Sequence, residues 1–237
     1  MKKSRKLWVS AVVVAAGKGT RMNMDINKQY IKVCGIPLLA RTLKVFEDCS
    51  LIDEVVLVVS NSDMFYCKQN VVEAYELKKV KMLVAGGEQR QDSVYNGLIQ
   101  VNNESDIIII HDGARPFIND EIIENCIEAA QEYGASTVAV PVKDTIKSAD
   151  SGGFVKETLE RSTLWAIQTP QAFLKDVIIK AHEKAADDGF YGTDDTVLAE
   201  RMGIRTKLVM GSYNNIKITT REDLTFAEAV IGNAEVY

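Results

Sequence analysis

At 237 residues the chain is long enough for one large α/β domain, and its 46% hydrophobic and 26% charged content is ordinary for a globular protein. A formal net charge of −5 leaves no general basic surface for DNA or RNA, so any positive charge that matters must be local. Four scattered cysteines (Cys34, Cys49, Cys67, Cys126), no CxxC pair and two histidines (His111, His182) exclude a zinc site and a disulfide framework, and point to a reducing cytoplasm.

The basic run Lys2–Lys6 followed by the apolar stretch 7–16 imitates a secretory leader. That stretch falls well short of the roughly 20 residues a membrane span needs. It also runs straight into a glycine loop, so a first buried strand is expected instead. The loop, Ala15-Ala-Gly-Lys-Gly-Thr-Arg-Met22, carries small side chains that let a charged ligand lie against backbone N–H groups. Arg21 and Lys28 add two cations beside it.

Residues 37–46 have apolar positions at helical spacing with Pro37 in the first turn. The run 54–59 reads as a second strand, 62–77 as a polar helix and 81–84 as a short strand. Gly86-Gly-Glu88 breaks the chain before a helix that begins at Arg90. Asp106-Ile-Ile-Ile-Ile110 is a fourth strand ending in His111-Asp-Gly-Ala-Arg-Pro116; Asn119 caps a helix through Tyr133, and 136–140 is a fifth strand.

Residues 141–167 break this rhythm. The segment 141–147, then Ser151-Gly-Gly153, then 154–159 reads as a hairpin that should pack on something. Helices near 174–187 and 194–202, a strand at 206–209 and a last helix from Arg221 complete one domain with a protruding arm. Apolar strands without alternation, separated by helices, imply a Rossmann-like α/β fold: a mostly parallel sheet covered on both faces. Ligands in such sheets bind beyond the strands' carboxyl ends, where the three glycine-bearing loops fall.

Taken singly, several of these residues have ordinary structural explanations. Gly17 and Gly19 nearly match a dinucleotide fingerprint, with Met22 in the third place, and suit a tight turn equally. Asp112, at the end of an isoleucine strand, is either a turn cap or a ligand for a phosphate-held magnesium ion. His111 reads as a hydrogen-bonded, partly buried ring and His182 as a surface residue. Thr145, Arg161 and Lys217 read alone as solvated side chains, and Thr193-Asp-Asp-Thr196 as a helix cap.

Together the motifs are specific. The glycine loop, Lys28-Gln-Tyr30, Gly86-Gly87, Arg90-x-x-Ser93-Val, His111-Asp-x-Ala-Arg-Pro116, Asp144-Thr145, Arg161-x-x-Leu-Trp-x-x-Gln-Thr-Pro-Gln171, Thr193-Asp and Asn215-Ile-Lys217 follow in this order. From about residue 8 to 230 the chain closely resembles the 2-C-methyl-D-erythritol 4-phosphate cytidylyltransferases of non-mevalonate isoprenoid biosynthesis. The resemblance implies transfer of CMP from CTP to the sugar phosphate with release of pyrophosphate. It assigns Arg21, Lys28, Arg161 and Lys217 to catalysis, with Ala15, Ala16 and Gly17 along the nucleotide. Gly87 and Ser93 then lie near cytosine, and Asp112 and Gly113 near ribose, phosphate and Mg²⁺. Gly113 stands where the family often has Ala, a change expected to be mild. It further implies a homodimer in which the arm carries Thr145 and Arg161 to the other subunit's site, beside Thr193 and Lys217. A ribitol 5-phosphate cytidylyltransferase is the nearest alternative; a nicotinamide-dependent oxidoreductase is disfavoured by Met22 and the basic residues around the loop.

Overall fold

The computed structural model describes residues 6–17 and 27–234. In chain order the elements are β1 (Val9–Ala15), β2 (Lys32–Val33), β3 (Ile36–Pro37), α1 (Leu38–Asp48), β4 (Glu54–Val59), α2 (Met64–Cys67), β5 (Val80–Ala85), α3 (Arg90–Leu98) and β6 (Ile107–Asp112). Then follow α4 (Asp120–Tyr133), β7 (Ala135–Pro141), β8 (Lys147–Ala149), β9 (Val155–Thr158), β10 (Trp165–Leu174), α5 (Lys175–Asp187), α6 (Thr196–Arg201), β11 (Lys207–Met210) and α7 (Arg221–Ala234). Among the described residues no helix is long and apolar enough to cross a membrane.

A seven-stranded sheet in the order β11-β7-β10-β6-β1-β4-β5 forms the centre. β1 is parallel to β4 and β6, β4 to β5, and β11 to β7. The continuous apolar runs supply both faces, because successive side chains of a strand point to opposite sides. Val9, Ala11 and Val13 join Ile107, Ile109, Val55 and Leu57 in one core with α1 and α4, through Leu43, Phe46, Ile123 and Cys126. Val12, Ile108, Ile110, Val56 and Val58 face the other way, against Val94 and Leu98 of α3, Ile178 of α5 and Ala199 of α6. A third cluster joins Val33, Leu38, Ala114, Ile218, Ala227 and Ile231, which packs α7 beside the tip of β6. The α4 boundaries match their sequence signals. Asn119 Oδ1 accepts from the Ile122 N–H at 2.9 Å, and Gly134 ends the helix at φ 89°.

Two elements differ from the sequence expectation. The region 62–77 is a 3₁₀ turn at 61–63, the single turn α2 and a π-helical stretch at 68–73, not one regular helix. The segment 165–174, of which 165–167 were read as the end of an irregular region and 168–173 given no element, is a ten-residue strand inserted antiparallel between β6 and β7. Its Gln168, Thr169, Pro170 and Gln171 argue against a central strand. The register shift between Ile167 and Gln171 accommodates the proline, and the three polar side chains are buried and hydrogen-bonded. The expected hairpin is present as β8 and β9, shorter than the segments 141–147 and 154–159, and the two strands pair antiparallel with each other in a separate two-stranded sheet.

Candidate active site

Three strand tips meet at one end of the sheet. Ala15, Ala16 and Gly17 end β1, Gly87 and Ser93 follow β5, and Asp112, Gly113 and Ala114 end β6; all line a cleft of about 260 Å³. The loops touch through backbone. The Gly86 N–H donates to Val59 O at 2.8 Å, and the Gly113 N–H to Val14 O at 2.9 Å. Glycine at 86 is required by this approach, since a Cβ there would collide with the Ala16 Cβ. The Gly87 N–H donates to Ser93 Oγ at 3.0 Å, and that hydroxyl donates to Gln89 O at 3.0 Å, tying the glycine turn to the first turn of α3.

A Cβ at Gly113 would lie 2.9 Å from Leu39 Cδ1, the end of a flexible side chain, and 3.0 Å from the Ala15 Cβ, so alanine there asks for a shift of a few tenths of an ångström.

Charge is concentrated here. Lys28, Arg90 and Lys217 line the cleft with Glu88 and Asp112, three cations against two carboxylates in a chain of net −5. Asp112 is the hinge of the arrangement. Its Oδ2 accepts from Lys217 Nζ at 2.7 Å and its Oδ1 from Arg90 Nε at 3.2 Å. Burial alone would raise the Asp112 carboxyl; Arg90 and Lys217 reverse this and hold it well below the usual carboxylate range. Lys28 Nζ donates to Ile218 O at 3.2 Å, which brings the 3₁₀ turn at 28–30 against the segment that carries Lys217. That segment is anchored by buried Asn215, whose Nδ2 donates to Thr169 O at 2.9 Å, and by Arg115 Nη1, which donates to Asn215 O at 2.7 Å.

His111 is buried and fully used. Its Nε2 donates to Arg115 O at 3.0 Å and its Nδ1 accepts from Thr169 Oγ1 at 3.1 Å, while Thr169 Oγ1 accepts the Asp112 N–H. Burial favours the neutral ring, in which Nδ1 is the acceptor, and pushes its pKa down to about 4.

Arg90, not singled out from sequence as a site residue, bridges Asp112 and Asp195, with Nη1 at 2.7 Å from Asp195 Oδ2. A signal existed: a cation in the first turn of a helix opposes the helix dipole and needs carboxylate partners. The segment 193–196 does cap a helix, since Asp194 Oδ1 accepts the Val197 N–H at 3.1 Å. Asp195, however, is buried as the counter-charge of Arg90. His182 is likewise not a surface residue. It is buried, stacks on Tyr95 and places Nε2 at 3.3 Å from Asp195 Oδ1, a contact not aligned as a hydrogen bond. Ile178, Ala181, His182 and Ala185 form the buried stripe of α5, a spacing readable from sequence.

The expected residues Thr145, Arg161 and Thr193 do not line this cleft. Arg21 falls outside the described residues. Thr145 and Arg161 are exposed at the arm, with Arg161 Nη1 donating to Lys143 O at 3.0 Å. Thr193 is exposed two residues before Asp195. Among the described residues no group of three or more His, Cys, Asp or Glu could hold a metal ion.

Residues 9–233 match the family model of the 2-C-methyl-D-erythritol 4-phosphate cytidylyltransferases. The chain belongs to that family. A cytidylyltransferase of this name from Caldanaerobacter subterraneus subsp. tengcongensis is 53% identical over 220 residues, covering 93% of this chain and 97% of the relative. One from Clostridium novyi is 53% identical over 223 residues, covering 94% and 96%. The crystal structure of the 4-diphosphocytidyl-2C-methyl-D-erythritol synthase from Anaerococcus prevotii superposes with a TM-score of 0.84 at 34% identity, covering 96% of this chain and all of that one. Membership makes the chain a cytidylyltransferase of isoprenoid biosynthesis, and neither ribitol phosphate nor nicotinamide chemistry is favoured.

Proposed function

We propose that this single nucleotidyltransferase domain, acting in the cytoplasm, joins CTP to 2-C-methyl-D-erythritol 4-phosphate at the cleft above β1 and β6. A phosphate-monoester oxygen attacks the α-phosphorus of CTP; the new P–O bond forms as the bond to the bridging oxygen breaks and pyrophosphate leaves. The attacking phosphate is already anionic, because its second pKa is about 6, so no general base is required. The difficulty is the approach of two anions, and it is met by positioning and fixed positive charge. The observation that carries this reading is the ion-pair cluster of Lys217, Asp112 and Arg90, set with Lys28 against bare backbone.

In this reading Lys28 and Arg21 neutralise the triphosphate, while Lys217 and Arg161 orient the incoming phosphate with Thr145 and Thr193. Ala15, Ala16 and Gly17 flank the nucleotide, and backbone carbonyls near Gly87 accept from the cytosine amino group, which uracil lacks. Mg²⁺ suits a donor set of this kind, because it keeps waters and takes one or two carboxylates together with substrate phosphates. Asp112 would be its protein anchor, and the ion would add positive charge at the triphosphate.

The arm supports a homodimer. Phe154 and Val155 are 74% and 59% exposed on a ribbon that pairs only with itself among the described residues. Thr145 and Arg161 would then act in the partner subunit's cleft.

Pyrophosphate release from CTP or UTP with methylerythritol phosphate or ribitol 5-phosphate tests the whole reading. Turnover only with CTP and methylerythritol phosphate is expected, and comparable turnover of UTP or ribitol phosphate refutes it. Mixing an Arg161→Ala chain with a Lys28→Ala chain should restore part of the activity through hybrid dimers. No recovery would argue against sites shared between subunits.

A further inference from the structure

Thr193 is exposed, yet the chain around it is held from both sides by side-chain amides. Gln91, the second residue of α3, donates through Nε2 to Phe190 O at 2.9 Å and accepts at Oε1 from the Gly192 N–H at 2.9 Å. Gln171 of β10 donates through Nε2 to Asp194 Oδ2 at 2.9 Å and accepts at Oε1 from the Asp195 N–H at 3.0 Å. Each amide is used at both ends. Gly192 is pressed so closely on α6 that a Cβ would collide with Val197 Cγ1. Ordering an exposed apex in this way costs conformational entropy that the Thr193 side chain's own packing does not return. The residue before Gln91 is Arg90, which lines the cleft, so one helical turn reaches the nucleotide pocket and the Thr193 loop together.

We propose that Gln91 is a positioning residue for the second substrate: by clamping residues 190–192 it presents Thr193 to the sugar phosphate at the edge of the cleft. This rests on the role given to Thr193 above. Gln91 itself touches neither substrate.

The test is steady-state pyrophosphate release by Gln91→Met, Thr193→Val and the double variant, with each substrate varied in turn. Methionine keeps the length of Gln91 and removes both hydrogen bonds. Losing them should raise KM for methylerythritol phosphate about tenfold while KM for CTP and kcat stay within about twofold. The double variant should be no worse than Thr193→Val alone, because both changes act through one contact. Additive effects, a parallel rise in KM for CTP, or an unchanged KM in Gln91→Met beside a raised one in Thr193→Val would each overturn the proposal with the underlying reading intact. An unchanged KM in Thr193→Val would overturn that reading itself, and the proposal with it. Should Gln91→Met prove unstable, hydrogen exchange at the Gly192 and Thr193 amides in Gln91→Asn, too short to span both bonds, reads the clamp directly; unchanged protection refutes it.

Discussion

Asp112→Asn removes one negative charge from between Arg90 and Lys217 while keeping the shape of the side chain. The Asp112 side chain is 10% exposed, and its partners are 29% and 36% exposed. Removing one member of a fully buried pair costs about 3–5 kcal/mol, whereas an exposed pair is worth about 0–1 kcal/mol. Partners about one-third exposed fall between these limits, and Arg90 keeps Asp195, so a loss of about 2 kcal/mol is expected. For a chain of this size that lowers Tm by about 6 °C. The folded Asp112 pKa is depressed, so its contribution is complete above the unfolded value near 3.9 and is lost as pH falls toward the folded value. The stability gap between wild type and variant should therefore stay level from neutral pH down to about 5 and narrow below about 4. Urea unfolding followed by tryptophan fluorescence at several pH values measures it. A gap under about 0.5 kcal/mol at neutral pH, or one that widens on acidification, would refute the assignment of Asp112 as the shared counter-ion.

Four further substitutions test other parts of the molecule. Lys28→Ala and Arg21→Ala should each lower turnover about 10²-fold or more, and wild-type kcat in either would remove it from the catalytic set. Gly86→Ala forces its Cβ onto Ala16, so KM for CTP should rise, with nucleotide titration as the check; unchanged affinity would mean the two loops can part freely. The unfolded chain protonates histidine near pH 6.5, whereas folded His111 resists until about 4, so wild-type stability should fall across that window. His111→Gln should flatten that part of the stability profile, and parallel profiles would show that another group is responsible.

What the sequence conveyed follows from how directly each feature is encoded. β1, β4 and β6 were legible because unbroken apolar runs have few uses other than a sheet buried on both faces. Glycine loops at the strand tips located the cleft, since close backbone approach needs small residues there. β10 was hidden because its buried Gln168, Thr169 and Gln171 are satisfied by residues distant in sequence, Ser212, His111 and Asp194 among them. Asp195 was hidden for the same reason, as its partners Arg90 and His182 lie on two other helices. His182 was legible in principle, on the buried face of α5, but its charged neighbours outweighed that spacing.

β10 also links the residues of the cation cluster. Running antiparallel between β6 and β7, it sets Thr169 against the Asp112 N–H and His111, and its backbone at Thr169 against Asn215. Asp112, through its backbone N–H, and the segment bearing Lys217 are thereby tied to the same strand. Asp195, whose N–H donates to Gln171 two residues further along, pairs with Arg90. Donors set in place before substrate arrives need no reorganisation as charge develops, and electrostatic catalysis depends on that property. The polar groups of a strand whose composition argues against a central position thus contact the residues on which the charged cluster is built.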